Sequence, residues 1–123
     1  MYRRRCRLAD DLKKLPARFY RSETRAEPVR EWLVSMSKED RRIIGLDIAT
    51  VEYGWPIGMP TCRPLGSGLW EVRSDLPGNR IARVLFCVAQ GHMVLLHAFI
   101  KKARKTPKSD LEIARSRQKE VER

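Results

Sequence analysis

The second half of the chain alternates apolar and polar residues with a period of two, and its turns are too short to let a strand cross over. Cys62 to Leu65, Leu69 to Ser74, Arg80 to Val88 and Met93 to Lys101 carry the alternation. Gly66-Ser67-Gly68, Leu76-Pro77-Gly78-Asn79 and Gln90-Gly91 separate them. A parallel neighbour needs a crossover of about a dozen residues, so segments joined this tightly pair only antiparallel with the next. A meander is predicted.

Upstream the period changes. Ala17 to Arg21 reads as a short strand. Pro28 then opens a helix in its tolerated first-turn position, and Val29, Trp32, Leu33 and Met36 give the i, i+3, i+4, i+7 stripe of a core-facing surface. Ser37 is the predicted N-cap of a second helix, with Glu39 and Asp40 in its first turn and Ile43, Ile44, Ile48 and Val51 on its buried side. Gly54 is the expected C-cap. At the other end Thr106-Pro107 starts a last helix, Thr106 as N-cap, whose few apolar residues (Leu111, Ile113, Ala114) predict weak docking or fraying. The order is β-α-α-β-β-β-β-α. It specifies an α+β domain: a small, antiparallel-dominated sheet with an N-terminal αα-hairpin packed on one face, and a C-terminal helix, with the helices expected on that single face. Residues 17–123 form this domain. Residues 1–16 are basic and form an N-terminal extension, with Leu8, Leu12 and Leu15 at the spacing of a short amphipathic helix.

Composition narrows the partner. In 123 residues, 42% are hydrophobic, enough for one core, but 26 Lys+Arg against 15 Asp+Glu leave +11. Such an excess on a small domain points to a polyanion, nucleic acid or an anionic membrane surface. Cys6, Cys62 and Cys87 are scattered without CxxC or matched histidines, which excludes a zinc finger and a disulfide framework. No run approaches the ~20 apolar residues of a membrane span. Arg3-Arg4-Arg5 has no apolar stretch after it, so no secretory signal is expected. A soluble, cytoplasmic protein is the expectation.

Alternation sorts the strand side chains by face. Val94, Leu96, Ala98 and Ile100 should oppose Met93, Leu95, His97, Phe99 and Lys101. If the apolar sets lie under the helices, the other face gathers Glu71, Arg73, Arg83, His97 and Lys101. Beyond the last strand, Lys101, Lys102, Arg104, Lys105 and Lys108 follow one another with no anion between them. This strip beside a basic sheet reads as an RNA groove, with backbone charge supplying affinity, or as a solvated charge run on a loop. His97 is either a proton-exchanging group near neutral pH or a strand histidine satisfied by a neighbouring carbonyl. Arg73 either serves the groove or pairs with Glu71. Trp32, Trp55 and Trp70 are assigned to the core or to the helix-to-strand connection. No Ser-His-Asp order, metal-ligand cluster or glycine-rich phosphate loop is present. Catalysis would therefore be metal-independent, without a cofactor, and assisted by cations.

Several segments together resemble one known group. They are Leu69-Trp70-Glu71-Val72-Arg73, Arg83-Val84-Leu85-Phe86, the stretch Leu95 to Pro107 containing Leu-His-Ala-Phe-Ile-Lys-Lys, and Leu111 to Arg117. Val29-Arg30-Glu31-Trp32-Leu33 fits upstream. The chain resembles toxins of the RelE superfamily, in the phage-derived HigB-like branch of type II toxin–antitoxin systems, from about Ala17 to Arg117. The resemblance implies a RelE-like fold and an endoribonuclease that cuts mRNA on the ribosome and stops translation. It implies as partners a helix-turn-helix, HigA-like antitoxin, the ribosome and mRNA, with DNA reached only through the antitoxin and no membrane. It places Arg73 and Arg83 at the phosphate, Lys101, Lys102, Arg104 and Lys105 on RNA backbone, and His97 in proton transfer or a structural role. One departure is plain: many relatives of this kind carry a catalytic tyrosine near the C-terminus, and this chain has none after Tyr53. The general base is then either a lysine of depressed pKa or His97. Two other functions fit the same basic surface: a non-catalytic inhibitor that occupies the ribosome or RNA, and a module that only binds its antitoxin as co-repressor. The toxin reading carries an expectation for Arg83→Ala, loss of toxicity with the fold intact.

Overall fold

The computed structural model describes residues 12–101 and 106–123. In chain order it has β1 (Ala17–Phe19), α1 (Pro28–Ser35), α2 (Lys38–Gly54), β2 (Cys62–Gly66), β3 (Leu69–Leu76), β4 (Arg80–Ala89), β5 (His92–Lys101) and α3 (Lys108–Val121). The five strands form one sheet in the order β1-β5-β4-β3-β2. β2 to β5 are the expected antiparallel meander. Their tight turns have the left-handed backbone that matches strand twist: Ser67 and Gly68 lie at φ 50° and 79°, Gln90 and Gly91 at 52° and 74°. β1 comes back to the far edge and runs parallel to β5, with Arg18 opposite Val94. That return is possible because both helices and the α2–β2 connection lie between β1 and the meander.

α1 and α2 cover one face. Val29, Ile44, Ile48 and Val51 pack there against Val72, Val84, Phe86 and Leu95, with Trp32, Leu33 and Met36 at the margin. The Ser37 hydroxyl accepts from the Asp40 amide at 3.1 Å and so caps α2 as its sequence predicts. Gly54 is the last helical residue rather than the cap, and the cap position falls to Trp55, whose ring stands edge-on to Trp70 at 4.9 Å and to Phe86 at 5.7 Å. The packing reaches upstream of β1: Leu15 is in this core, and Glu52 receives the Ala17 amide at 2.7 Å. The helical spacing of Leu8 to Leu15 falls almost wholly outside the described residues.

Two expectations need correction. The helices do not share a face. α3 lies on the other side, over Leu69, Leu85, Cys87, Val94 and Leu96. Nor does it fray, because polar side chains replace the missing apolar ones. Arg115 donates to the carbonyls of Gly66 and Leu65, Arg117 to that of Leu96 and Gln118 to that of Ser67, at 2.7–3.1 Å. Tyr20 donates to Glu120 at 2.7 Å. Counting apolar residues misses such docking, since the Arg115, Arg117 and Gln118 bonds satisfy carbonyls at the β2–β3 turn and at the bulge of β5 that would otherwise need water. The second correction is in β5. Leu85 pairs with His97 but Phe86 with Leu95, so Leu96 is an extra residue, a β-bulge. The bulge shifts the alternation: Met93, Leu95, Ala98 and Ile100 belong to the α1–α2 side, and Val94, Leu96 and Phe99 to the α3 side.

The β3–β4 turn is tied to α2 by Arg80, which donates to both Asp40 oxygens at 2.7 and 3.0 Å. The Arg80 hydrogen bonds, helped by its charge and by Ser37, hold the Asp40 carboxyl below its ordinary value against the opposing effect of burial. A depressed carboxylate stabilises the fold above its unfolded pKa of ~3.9, and the contribution is lost as pH falls through the lower folded value. Asp40→Asn should therefore lower the urea midpoint at pH 7, and its deficit against the wild type should shrink below pH ~4. A deficit that stayed constant to acid pH would show that the pair does not act through charge.

Candidate functional site

The bulge and the register bring five side chains to the α3 face, toward the N-terminal end of α3. Across the sheet, Arg63 pairs with Glu71, and Glu71 with Leu85, which faces His97. One pleat further on, Arg73 stands directly opposite Arg83, and Lys101 lies opposite Ile81. The expected gathering of Glu71, Arg73, Arg83, His97 and Lys101 on the face opposite α1 and α2 is thus present. Arg63 joins them from β2. Lys102, Arg104 and Lys105 lie outside the described residues.

Like charges directly opposite in a sheet repel, and here the two arginines turn to different carboxylates. Arg83 is 3% exposed and donates to Glu71, itself 1% exposed. Glu71 also receives Arg63 Nη2 at 3.1 Å and the Thr106 hydroxyl at 3.0 Å. Arg73 instead donates to Asp75 at 3.2 Å, with the two side chains 42% and 78% exposed. The sequence-based pairing of Arg73 with Glu71 is therefore replaced by two separate pairs. Thr106 is likewise not the N-cap. Pro107 occupies that position with no side-chain cap, and the Thr106 hydroxyl serves the buried carboxylate.

Magnitudes decide which arginine is open to a ligand. An exposed pair such as Arg73–Asp75 is worth ~0–1 kcal/mol, so an incoming anion displaces it easily. Removing one partner of a buried pair costs ~3–5 kcal/mol, which fixes Arg83 on Glu71. The accessible cations are Arg73, Arg63 and Lys101, and Arg83 lies beneath them. Burial pushes the Lys101 ammonium below its ordinary pKa, and the positive charges of Arg83 and Arg73 push in the same direction against the pull of Glu71. The arginine below is also lowered by burial, although Glu71 opposes the shift.

His97 sits at the edge of this group. Its Nε2 is 2.6 Å from Asp110 Oδ1 in the first turn of α3, and its ring stacks on Phe99 at 5.8 Å. Its partner is thus a carboxylate, where a backbone carbonyl was the structural alternative. Among the described residues no three His, Cys, Asp or Glu side chains could hold a metal ion. No helix among them is long and apolar enough to cross a membrane.

Sequence reasoning named the cations but missed three groups that organise them: Arg63, Thr106 and Asp110. Counting back through Gly66-Ser67-Gly68 would have set Arg63 near Glu71, but the irregularity between Pro64 and Gly66 hides the register. Thr106 and Asp110 carry no local signal, because only the docking of α3 brings them to the sheet.

The family model described as phage derived protein Gp49-like (DUF891) matches residues 31–119, a span that includes both pairs and the whole meander. No curated protein matches the chain.

The burial difference gives a direct test, and it revises the expectation that Arg83→Ala leaves the fold intact. Arg83→Ala should lose ~3–5 kcal/mol by leaving Glu71 buried with fewer partners. Arg73→Ala should stay within about 0.5 kcal/mol of the wild type. Guanidinium unfolding of the two variants measures both, and equal stabilities would contradict the assignment of Arg83 to the interior.

Proposed function

The chain belongs to the phage-derived Gp49-like family, a toxin-like family related to RelE- and HigB-type toxins, and from that premise we propose that it is the toxin of a type II toxin–antitoxin pair. Its activity in this reading is endoribonucleolytic cleavage of ribosome-bound mRNA in the cytoplasm. A helix-turn-helix antitoxin of the HigA kind neutralises it and alone contacts DNA.

The observation that carries the reading is the assembly of Arg63, Arg73, Arg83 and Lys101 on one sheet face around the buried carboxylate of Glu71. A neutral fold gains nothing from placing two arginines opposite each other. A phosphodiester gives the exposed Arg73, whose own pair is weak, a strong counter-charge. RNA brings its own nucleophile, the 2′-hydroxyl, which attacks the adjacent phosphorus once its proton is removed. The new 2′-O–P bond forms, the P–O5′ bond breaks, and the products are a 2′,3′-cyclic phosphate and a 5′-hydroxyl. Protein groups must take the first proton, neutralise charge on the phosphorane and return a proton to the leaving oxygen.

Lys101 suits the first task, because its lowered pKa leaves more of the neutral amine near physiological pH than an ordinary lysine has. Arg73 suits the second: its guanidinium is exposed, its Asp75 pair is weak, and its fork matches two phosphate oxygens. Arg63 borders the same position. His97, held by Asp110, is the remaining proton-handling group and suits the third. Arg83 supports the constellation from below and does not touch the phosphate. Lys102, Arg104 and Lys105 are proposed to hold RNA backbone beside it.

The absence of any tyrosine after Tyr53 favours one other reading, a non-catalytic inhibitor that occupies the ribosome with the same surface. Primer extension on a defined mRNA in a reconstituted bacterial translation system separates the two. Cuts should appear only when ribosomes are present. Arg73→Ala should reduce them ~100-fold or more, as losing one transition-state donor does elsewhere. Lys101→Arg keeps the charge but cannot release a proton at neutral pH, so it should abolish cutting while RNA affinity stays within a few fold. With wild-type protein the cleavage rate should rise with pH as Lys101 loses its proton, levelling off below the ordinary lysine range near 10.4. Intact mRNA with translation blocked would replace the enzyme by the occupancy reading.

A further inference from the structure

The buried carboxylate of Glu71 is not explained by phosphate binding, since an anion at the centre of a phosphate site repels the ligand. Nor is it a convenient structural choice. Burying a carboxylate–guanidinium pair costs desolvation that an apolar pair of similar volume avoids, and the neighbouring positions on this face are occupied by Leu69, Leu85 and Cys87. Glu71 is instead shared. Arg83 comes from the adjacent β4, Arg63 from β2 on the other side, and Thr106 from the segment that leads into α3. One carboxylate thus fixes groups from three separate parts of the chain, and two of its partners border the open end of the sheet. The Nε atoms of Arg63 and Arg83 are buried without a partner, so the carboxylate is what determines how both guanidinium groups are turned.

We propose that Glu71 is the positioning residue of the cation cluster: it orients Arg63 and Arg83 and anchors the approach to α3 through Thr106. Among the described residues, the charged groups that face Lys101 are Arg63 from β2, Glu71 and Arg73 from β3, and Arg83 from β4. Of these only Glu71 favours the protonated amine. Removing its charge therefore makes the face more attractive to RNA and at the same time disorganises it. A residue that merely held the fold together would do neither, and would lower activity only through the fraction of folded protein.

The cleavage readout rests on the proposed function, and a titration of the free protein does not. Glu71→Gln keeps the shape and removes the charge. In the ribosomal assay its KM should stay unchanged or fall, while kcat drops on the order of 10- to 100-fold, the scale of a small misplacement of reacting groups. In the free protein, NMR titration of carbon-13-labelled lysine should show Lys101 of Glu71→Gln releasing its proton at lower pH than in the wild type. A Lys101 titration identical to wild type, or kcat and KM both unchanged, overturns the proposal. If the wild type cuts no mRNA, the enzyme reading fails and the titration still decides the role of Glu71. Should Glu71→Gln not fold, Thr106→Val removes one donor and leaves the pair. Exchange of the Arg83 guanidinium protons with solvent should then be several-fold faster than in the wild type, and unchanged exchange rejects the assignment.

Discussion

The pair between Glu71 and Arg83 governs the α3 side of this molecule. It lies across β3 and β4 in the middle of the sheet and takes in β2 through Arg63 and the chain before α3 through Thr106. A buried ion pair is a poor source of stability, because the desolvation it demands roughly matches the attraction it returns. Its effect is geometric. With the carboxylate satisfied from three directions, the guanidinium groups beside it have little freedom, and the strands that carry them are held in register by side chains as well as by the backbone ladder.

The two faces of the sheet divide the work. Under α1 and α2 the side chains are apolar and close-packed, with Trp55 set edge-on between Trp70 and Phe86, and this side supplies the hydrophobic core. Under α3 the apolar cluster is smaller and gives way to charge toward the end of β5. α3 compensates for its thin apolar stripe by binding carbonyls at the β2–β3 turn and on β5. The site therefore lies beside an element held mainly by directed polar bonds. Its position depends on hydrogen-bond geometry more than on hydrophobic area.

Much of the fold was legible in the sequence because it is written in local terms. The meander follows from turns that permit only one kind of neighbour, and α2 from the Ser37 cap and the spacing of Ile44, Ile48 and Val51. The cations of the site were legible in part for the same reason: alternation places Glu71 and Arg73 on one face of β3, whereas the side taken by Lys101 is set by the bulge at Leu96. The reading failed where a distant part of the chain overrode a local rule. Thr106 has the sequence of an N-cap, yet a buried carboxylate across the sheet competes for its hydroxyl and wins. α3 looks too polar to dock until the carbonyls it satisfies are known.

What the sequence by itself determined is the class of fold, the antiparallel order of β2 to β5 and the presence of a basic face, because periodicity, turn length and charge count act over a few residues. Only the tertiary structure decided three further things: that β1 joins β5 in parallel, that a bulge at Leu96 resets the faces of β5, and that Arg83 is buried while Arg73 is exposed. The physical reason is common to all three. Each depends on register between segments far apart in the chain, and a shift of one residue would move every side chain of a strand to the opposite face without changing its pattern in the sequence.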